Sequence, residues 1–493
     1  MVGKSFGVIK ITDKEGDEYD FSIPRRESKT GISHKDFAII FDTDITPIEA
    51  AGRRDFTINA MAYDPISEEL YDFFDGEEDL KNNILRATTD SFKEDPLRVL
   101  RGMQFCSRLS LNSDIDTLSM CSDLFEKVFE YDENIESYKT RTYIDEQGKE
   151  KPILATERIY EEWLKLINKG KDPRKGINFL FESDWIKAYP QINNLKDIQQ
   201  DKKHHPEGDV LEHTIQSMEN AYNMSKKENL NSEEHTVLVL SALCHDMGKP
   251  VTTEIKEDKI TSYGHDESGV DISNDFLQNI GMPKNIIEKV LNLVKYHMIH
   301  ITKYDKNSKK WNVYQIADMI YPSSIEQLCR LMKVDKSARE SGQEDDDEKK
   351  EKRLEKIEEL YEDAKEKEVL FKPIKSFFQN SGGKLLYLFP DTRNRKYISQ
   401  VQKYIREKQK EGRIKTPNDA LMYAENFAKR KTLLIDGLDI INTFNINPKE
   451  KGYIIPKIKD ITWEAQLRLP LIYKEDAIDW MVKNINIEEI QNV

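Results

Sequence analysis

The sequence predicts an α+β protein in which a short β-rich segment precedes a long helical remainder. Apolar and polar residues alternate, with many β-favouring side chains, at residues 6–11 and 18–23, and a short apolar run occupies residues 37–41. From Pro47 onward, apolar residues recur mainly at helical spacing. With 493 residues the chain is too long for one core, so we expect about three domains or more.

Composition and charge argue against several classes of protein. No apolar run approaches the ~20 residues that a membrane-spanning helix needs, so we expect no membrane partner. The net charge of −15 argues against nonspecific coating of RNA or DNA, because such binding neutralises phosphates with an excess of basic residues. A local basic groove stays compatible with this charge, since the field depends on where the charges lie.

The cysteine pattern and the first residues predict the compartment. The cysteines are scattered without a Cys-x-x-Cys pair, and the chain does not open with a basic segment followed by an apolar one. We therefore expect a reduced, cytoplasmic protein. The thiols expected to be buried are Cys106, Cys121, Cys244 and Cys329.

The front of the chain predicts a β-hairpin over residues 2–23, with Pro24 ending its second strand. Asp20 lies in the middle of that strand. Its position fits either a carboxylate on the solvent face or a carboxylate that faces a metal at the centre of a sheet. Arg25 and Arg26 follow and can hold phosphates.

Two stretches at residues 53–60 and 94–101 mix charge pairs with apolar residues at helical spacing. In the first stretch, Asp55 follows two arginines at the start of an apolar helix. Asp55 can cap that helix. Alternatively, it can accept a hydrogen bond from a ribose hydroxyl while an arginine holds a phosphate.

In the second stretch, Pro96 predicts the first turn of a helix, and Asp95 and Arg98 are expected to share one helix face. A surface ion pair is the usual meaning of that spacing. However, an Asp acceptor beside an Arg donor also matches the Watson–Crick edges of ATP and CTP, each of which offers an amino donor and a ring-nitrogen acceptor. GTP and UTP present the reverse pattern, so the pair can select a nucleotide.

Residues 196–340 form a predicted helical block that holds most of the histidines. An apolar helix at 237–244 runs into His245 and Asp246, and His213 and Asp335 complete a His…His-Asp…Asp order. Imidazole and carboxylate together suit Mn²⁺, Ni²⁺, Co²⁺, Zn²⁺ or Mg²⁺, and such a metal activates water and polarises a phosphoryl oxygen. Further candidates for a substrate phosphate or another metal ligand are His204, His205, His265 and His297.

Residues 343–368 are a run of charged residues with one thin apolar stripe. The pattern predicts a long solvated helix with i,i+4 ion pairs that joins two domains, and a regulatory or RNA-binding arm is the alternative. Residues 370–493 are predicted to be helical with two strand-like patches, and they carry no recognisable catalytic group of residues. The stripe consists of Leu354, Ile357, Leu360, Tyr361 and Ala364.

Several motifs occur in the order found in one family. Residues 3–109 resemble the head and neck of a class II tRNA nucleotidyltransferase, the CCA-adding enzyme, or of its relative, bacterial poly(A) polymerase. The matching pieces lie at residues 2–8, 20–27, 53–62, 75–80, 85–86, 94–101 and 156–161. The resemblance implies a polymerase-β-like head in which Asp55 contacts the ribose, Asp95 and Arg98 read the base, and Glu94 orients them. Asp20, in the matching piece at 20–27, is the catalytic candidate of the head. The nucleotide-binding candidates are Arg53, Arg54, Asp55, Asn59, Glu94, Asp95, Arg98, Arg101 and Arg158.

A second resemblance covers the histidine block. Residues 205–214, 245–253 and 264–266 are similar to the HD domain attached to bacterial tRNA nucleotidyltransferases. In that family the domain removes phosphates, including 2′,3′-cyclic ones. The resemblance implies His245 and Asp246 as catalytic residues and a transition metal such as Ni²⁺, Mn²⁺ or Co²⁺. The implied metal ligands are His213, His245, Asp246 and Asp335.

One departure from the family concerns the catalytic carboxylates. The family begins with a glycine pair and an Asp-x-Asp that carries two Mg²⁺ ions, and Met1 falls after the expected place of that unit. The Asp-x-Asp at residues 42–44 stands in the wrong place and is expected to be a loop, and the glycine pair at 382–383 is not followed by paired aspartates. Three explanations are open: the start is misplaced, a separate polypeptide supplies the unit, or the transferase is inactive. The first two are favoured, because without this unit the sheet would expose an edge strand that can pair with other chains.

We therefore predict a nucleotidyltransferase that adds CMP and AMP from CTP and ATP to the tRNA 3′ end and recognises the acceptor stem by its A-form shape. The alternatives are an HD phosphohydrolase with an inactive head, a poly(A) polymerase, and a non-catalytic RNA-binding subunit. The predicted domains are a partial head at 1–65, a helical neck at 66–195, an HD domain at 196–340, a linker at 341–369 and a helical tail at 370–493.

Overall fold

The protein forms two compact units, residues 1–373 and 374–493, which are described separately. A computed structural model describes residues 8–12, 14, 16, 18–22, 25–29, 37–41, 44–134, 136–145, 147–201, 207–256, 259–304, 312–338, 344–373, 396–410, 413–414, 416–429, 435–468, 474–487 and 490.

The front of the first unit contains two antiparallel strand pairs. Strands β1 (Val8–Thr12) and β2 (Glu18–Ser22) form the expected hairpin, which confirms that prediction. Strand β4 (Phe37–Phe41) also forms, and it pairs with β3 (Arg25–Lys29), a strand that the sequence analysis did not predict. The polar composition of β3 explains why it was missed, because strand propensity is weak in such a segment.

Short strand pairs interrupt the helical part of the first unit. The prediction of a mainly helical chain from Pro47 onward is confirmed, and these short pairs are the exceptions. Strands of two to four residues are too short to show a period and depend on their partners. The pairs are β5 (Ala62–Asp64) with β6 (Glu69–Tyr71), β7 (Ile84–Leu85) with β8 (Asn112–Ser113), β9 (Phe129–Asp132) with β10 (Ser137–Thr140), β11 (Thr142–Ile144) with β12 (Glu150–Pro152), and β13 (Glu254–Lys256) with β14 (Lys259–Thr261).

Helices make up most of the first unit, and 3-10 turns occupy residues 57–59, 90–94 and 185–188. The helices are α1 (Pro47–Gly52), α2 (Gly76–Lys81), α3 (Leu97–Leu109), α4 (Ile115–Val128), α5 (Thr156–Lys169), α6 (Pro173–Glu182), α7 (Pro190–Asn193), α8 (Val210–Glu228), α9 (Ser232–Cys244), α10 (Lys249–Thr252), α11 (His265–Asn279), α12 (Lys284–Tyr296), α13 (Ile299–Thr302), α14 (Val313–Ile320), α15 (Ile325–Ser337) and α16 (Glu344–Glu366).

An aromatic cluster joins the front helices to the histidine block. Helix α3 packs on α5 and α6. Trp163 of α5 is fully buried and makes edge-to-face contacts with Tyr189, at 5.1 Å between ring centroids, and with Phe276 of α11, at 5.4 Å. Because these contacts are buried, they fix the position of α11 relative to α5.

Helix α9 is the central helix of the histidine block. A capping box between Asn231 and Glu234 starts it, and every residue from Thr236 to Cys244 is buried. It packs against α8, α12 and α15. The apolar run at 237–244 was expected to form a buried helix, and that prediction is confirmed.

Helix α16 forms where the charged run predicts a helix, but its apolar stripe is not solvated. Ile357, Leu360 and Ala364 are fully buried, and α16 packs on α15. Lys333 of α15 makes an ion pair with Glu358 at 2.8 Å. The prediction of a solvated joining helix is therefore wrong for this face, because a narrow stripe is enough to bury one side against a neighbour.

The four cysteine thiols are buried and free, as predicted. In the part of the chain that the structure describes, no helix is both long and apolar enough to cross a membrane.

The elements described in the second unit are helices, and no strand occurs among its described residues. A small core of isoleucines, Ala477 and Met481 holds three of these helices together. The helices are Lys396–Lys410, Pro417–Lys429, Gly437–Phe444, Pro448–Lys451, Ile454–Arg468 and Lys474–Asn484.

Candidate functional site

The candidate metal ligands of the histidine block converge from separate helices. His213 lies in α8, and Asp335 lies in α15. His245 caps the end of α9, so Asp246 follows at the point where the buried helix stops. All four side chains are at most 2% exposed. The fold therefore brings together residues that are up to 122 positions apart in the chain.

The ligand atoms are close enough to share one ion. The Nε2 atoms of His213 and His245 lie 3.3 Å apart, and Asp246 Oδ2 lies 3.2 Å from His245 Nε2 and 3.6 Å from His213 Nε2. Asp335 Oδ1 lies 3.1 Å from His213 Nε2. At a metal–nitrogen distance of about 2.1 Å, imidazoles spaced in this way subtend about 100° at the ion, which fits tetrahedral or octahedral geometry.

The hydrogen bonds of the imidazoles fix which nitrogen carries the proton. His245 Nδ1 lies 2.8 Å from the Ala242 carbonyl oxygen, which can only accept a hydrogen bond. His213 Nδ1 lies 2.7 Å from Glu207 Oε1, which favours the same tautomer. In the neutral imidazoles the two Nε2 atoms therefore offer lone pairs that one cation could share. The residues present fit a divalent metal.

The local charges keep the Asp246 carboxylate ionised, as metal binding requires. Burial would raise the pKa of Asp246, but His245 and Lys249 outweigh it and hold that pKa well below the usual range. Burial would lower the pKa of His245, but Asp246 and Asp335 outweigh it and raise that pKa. A metal ion would compete with the proton for the same ligands, so metal binding would release protons.

Two other predicted histidines lie on the opposite side of Asp246. His265 begins α11, and its Nε2 lies 3.4 Å from Asp246 Oδ1 and 3.2 Å from His297 Nε2. Burial and the two neighbouring imidazoles lower the pKa of His297 well below its ordinary value. His204 and His205 lie outside the described residues.

Two buried lysines lie beside the carboxylates and were not predicted from the sequence. Lys249 Nζ lies 2.7 Å from Asp246 Oδ2 and 2.6 Å from Gln200 Oε1. Lys336 Nζ lies 2.9 Å from Asp335 Oδ2. Lysine is almost never fully buried without a partner, and these ion pairs explain the burial. The position of Lys249 three residues after Asp246 was the available signal.

Glu207 and His300 were missed as well. Glu207 is a fully buried carboxylate that holds the His213 ring in position. His300 is 1% exposed. Burial, with a further contribution from Lys336, lowers the pKa of His300 to about 3, so this imidazole is neutral near pH 7.

The nucleotide-binding candidates form a second group around the start of α3. Asp55 is 7% exposed, and its Oδ1 accepts hydrogen bonds from Asn59 Nδ2 at 2.7 Å and from the Phe56 amide at 3.1 Å. Its Oδ2 pairs with Arg101 Nε. Asp55 thus precedes a 3-10 turn and does not begin an α-helix, which corrects the capping alternative.

Asp95 and Arg98 do not pair directly in the structure. Asp95 has an extended backbone and lies before α3, so the expectation that both residues share a helix face is wrong. The Asp95 carboxylate binds the fork of Arg158 from α5, at 2.7 Å from Nη2 to Oδ2 and 3.3 Å from Nη1 to Oδ1. Proline at residue 96 explains the difference, because the residue before proline avoids the helical region.

Arg98 is anchored through main-chain carbonyls. Its Nη1 donates to Ser91 O at 2.6 Å, and its Nη2 donates to Arg53 O at 2.7 Å. Burial would raise the pKa of Asp95, but its hydrogen bond with Arg158 and the charges of Arg158 and Arg98 lower it. Asp95 and Arg98 therefore lie near each other, but each is held in place by different partners.

The remaining candidates occupy varied positions. Arg54 lines an apolar cavity of about 330 Å³. Glu94 ends the 3-10 turn before Asp95. Asp20 lies on β2 opposite Lys10, and the side chains of Asp20, Arg25 and Arg26 lie outside the described residues. Of the two decoy motifs, residues 42–43 and 382–383 also lie outside them.

Comparison with known proteins gives two matching family models. Residues 1–86 match the model described as the poly A polymerase head domain, and residues 210–350 match the HD domain model.

Curated relatives match over a longer part of the chain. A multifunctional CCA protein from Actinobacillus pleuropneumoniae serotype 5b is 31% identical over 300 residues, which is 60% of this chain and 66% of the relative. One from Neisseria meningitidis serogroup B is 32% identical over 299 residues, which is 60% of this chain and 63% of the relative. The chain thus spans just under two thirds of the length of these relatives. Among solved structures, the apo form II of a CCA-adding enzyme aligns with 87% of this chain and 81% of its own, at 19% identity and a TM-score of 0.46.

Proposed function

Because the chain belongs to the family of class II tRNA nucleotidyltransferases and poly(A) polymerases that carry an HD domain, we propose that it adds CMP and AMP to the 3′ end of tRNA. The observation that carries this proposal is the arrangement of Asp95, Arg98 and Arg158 at the start of α3. These side chains offer a fixed acceptor and a fixed donor without a template strand.

Asp95 keeps one acceptor site for a base. Its two oxygens have about four lone-pair sites. Among the described residues, Oδ1 accepts from the Leu97 amide at 3.1 Å and from Arg158, and Oδ2 accepts from Arg158 alone. The second lone pair of Oδ2 accepts the amino group of cytosine or adenine.

Arg98 supplies the complementary donors. Two of its five N–H groups bind main-chain carbonyls of the described residues, so its plane is fixed while other N–H groups point elsewhere. One of these donates to N3 of cytosine or N1 of adenine. Guanine and uracil present a hydrogen donor at that ring nitrogen and a carbonyl in place of the amino group, so both contacts become repulsive.

The other charged residues serve the rest of the nucleotide. Asp55 and Arg101 contact the ribose and the phosphates, as the family resemblance implies, and Arg158 orients Asp95. Mg²⁺ is the proposed cofactor of the transfer, with Asp20 as a candidate ligand on β2. A tRNA substrate supports the proposal of a cytoplasmic protein.

Equilibrium binding of the four nucleoside triphosphates tests the nucleotide choice. CTP and ATP should compete with a fluorescent ATP analogue at least about tenfold more strongly than GTP and UTP, because one good donor–acceptor pair discriminates by about 1–3 kcal/mol. Asp95→Ala should remove the discrimination. Glu68→Ala, at an exposed turn, is the matched control. Equal binding of all four nucleotides by the wild type would refute the proposal.

Incorporation into tRNA separates the alternative reactions. Purified protein is given CTP, ATP and tRNA that lacks its terminal CCA. Addition in the order C, C, A supports the proposal, whereas A-only tails support poly(A) synthesis. The binding competition measures nucleotide selection by Asp95 and does not depend on nucleotide transfer. It therefore tests the site even if the protein transfers no nucleotide.

The buried histidine–aspartate centre supports a second activity, the metal-dependent hydrolysis of phosphate from an RNA 3′ end. A divalent metal bound there would activate water and polarise the phosphoryl group. His213, His245, Asp246 and Asp335 hold the metal. Glu207 keeps the His213 ring oriented through its Nδ1.

Release of phosphate from RNA ending in a 2′,3′-cyclic phosphate tests this activity. We expect metal-dependent hydrolysis by the wild type and its loss in His245→Ala. His235→Ala is the matched control, because His235 lies on the same helix but binds Ser225 Oγ and Ile167 O away from the centre. Hydrolysis that persists in His245→Ala would overturn the assignment. RNA binding without either reaction would support a non-catalytic subunit.

A further inference from the structure

A polar cleft of about 580 Å³ lies where the end of α5, the end of α8 and the start of α9 meet. The ammonium groups of Lys171 and Lys226 line it, and of the described residues no aspartate or glutamate does. An anion in the cleft would therefore meet hydrogen-bond donors and no fixed negative charge. The amide and hydroxyl residues of the lining are Asn168, Tyr222, Asn223, Ser225, Asn229 and Ser232.

The lysines at the cleft are not neutralised by carboxylates of the chain. Among the residues that the structure describes, neither Lys171 nor Lys226 forms an ion pair, and the same holds for Lys169 and Lys227, which are next to lining residues in the chain. The chain has 90 acidic residues and a net charge of −15, so lysines gathered without acidic partners form a local positive field against the charge of the whole chain.

The carboxylates nearest to the cleft in the chain are committed to other partners. Glu228 pairs with Arg330 at 2.7 Å, and Glu233 pairs with Lys289. Glu234 belongs to the capping box that starts α9. Their charges are therefore balanced away from the lysines, and the cleft keeps its positive charge.

The helix ends at the cleft are capped without the lysine side chains. The Leu166 carbonyl of α5 accepts hydrogen bonds from the Gly170 amide at 3.0 Å and from Tyr222 Oη at 2.6 Å. The Ser225 carbonyl of α8 accepts from the Leu230 amide at 3.0 Å. Lysines near the end of a helix often bind its last carbonyls, but here other donors do so. The ammonium groups are thus available to a ligand.

The cleft lies about one helix length from each candidate site. The Lys171 amide donates to Ser107 O at 3.0 Å, near the end of α3, and the first turn of that helix carries Arg98. Helix α9 begins beside the cleft at Ser232 and ends at His245. At 1.5 Å per residue, these stretches of α3 and α9 span about 14 Å and about 20 Å. Both spans are short compared with an RNA helix, so one RNA molecule can reach the cleft from either site.

We propose that this cleft binds the phosphate backbone of the tRNA substrate. Lys171 and Lys226 contact the phosphates, and Asn168 donates a hydrogen bond through the amide nitrogen that remains after its Oδ1 accepts from Thr236 Oγ1 at 2.8 Å. This inference rests on the proposed function, because that function supplies the RNA. Backbone contacts of this kind position a nucleic acid without reading its sequence, since every nucleotide carries the same phosphate.

The salt dependence of tRNA binding tests the cleft. Binding of tRNA that lacks its terminal CCA is measured by filter binding between about 50 and about 200 mM KCl, where each phosphate contact adds about 0.7–0.9 to the slope of log affinity against log salt. Lys171→Ala and Lys226→Ala should each lower the slope by that amount, and each should lower the affinity at about 100 mM KCl by about fivefold to eightfold. Lys284→Ala removes the same charge from an exposed position at the start of α12 and should change neither quantity.

Chemical cross-linking locates the RNA without removing a lysine. The native cysteines are buried, so Asn229→Cys introduces an exposed thiol that an azidophenacyl reagent labels selectively. Ultraviolet light should join the labelled protein to tRNA. Ile144→Cys, at a 67% exposed position of β11, is the control and should give no cross-link. Circular dichroism and unchanged competition by CTP establish that each variant is folded.

Three results would overturn the proposal: unchanged tRNA affinity and salt slope in both lysine variants, no cross-link from position 229, or a wild type that binds no tRNA. Lysine-dependent binding of pyrophosphate together with unchanged tRNA binding would identify a site for small anions and would also refute it.

The outcomes separate this inference from the proposed function. Addition of C, C, A by a wild type whose lysine variants bind tRNA normally would refute the cleft and leave the transferase intact. Lysine-dependent tRNA binding without any nucleotide incorporation would support the cleft and refute the transferase.

Discussion

Replacement of Glu207 should weaken metal binding at the buried histidine–aspartate centre, although Glu207 is not expected to touch the ion. Glu207 Oε1 accepts from His213 Nδ1 at 2.7 Å, and both side chains are fully buried. A partner of this kind fixes the ring orientation and raises the basicity of the ligand nitrogen, and its loss typically costs about 10–100-fold in metal affinity.

The structure ranks two substitutions within that range. Glu207→Gln keeps an oxygen that accepts the Nδ1 hydrogen but removes the charge, so we expect a loss of about tenfold, or about 1.4 kcal/mol. Glu207→Ala leaves a buried Nδ1–H with no acceptor at that position and creates a cavity. We expect a loss of about a hundredfold, or about 2.7 kcal/mol.

Competition with a chromogenic chelator measures these affinities for Co²⁺ or Ni²⁺. Glu212→Gln provides a control, because Glu212 lies on the same helix as His213 but pairs with Arg174 outside the centre. The control should bind metal like the wild type. Metal binding by folded Glu207→Ala as tight as that of the wild type would refute this role of Glu207.

Three further predictions concern other parts of the first unit. Arg158→Gln should lower the affinity for CTP and ATP by about tenfold in a competition titration, because the hydrogen bonds that orient Asp95 are lost. Each hydrogen bond to a charged group contributes about 1.5–3 kcal/mol. Unchanged affinity would contradict this prediction. The pKa of Asp95 is lowered in the folded protein, so the ionised carboxylate stabilises the fold at any pH above the ordinary carboxyl pKa. This stabilisation is lost as the pH falls through the lower, folded pKa. The free energy of unfolding, measured by urea titration from about pH 6 to about pH 2, should therefore depend less on pH in Asp95→Asn than in the wild type. Trp163→Ala should lower the free energy of unfolding by about 3–5 kcal/mol in urea, because the ring is fully buried between aromatic neighbours, whereas Ile66→Ala at a 93% exposed position should change it by less than about 0.5 kcal/mol.

The convergence of the candidate metal ligands could be predicted from the sequence because their order along the chain carries information. His245 and Asp246 follow an apolar run that predicts a buried helix, so their side chains were expected at the end of a core element. The structure brings His213 and Asp335 to the same point. Glu207, Lys249 and Lys336 could not be predicted in the same way, because a single carboxylate or lysine in a polar segment usually lies in water.

The nucleotide-binding group illustrates a different limit. Spacing alone placed Asp95 and Arg98 on one helix face, but the proline between them ends the extended segment and leaves Asp95 outside the helix. The partner of Asp95 is Arg158, which is 63 residues away in the chain. A pairing between residues this far apart in the chain depends on how α3 packs against α5, and no local sequence pattern predicts that packing. The short pair β7–β8 was missed for the same reason.

The most direct test of the proposed function is a comparison of nucleotide binding between the wild type and two variants, Asp95→Ala and Arg98→Ala. A guanidinium and a carboxylate that choose the incoming base should give CTP and ATP at least about tenfold tighter binding than GTP and UTP, and each variant should lose that preference. Equal binding of the four nucleotides by the wild type, or an unchanged preference in folded variants, would contradict the proposal.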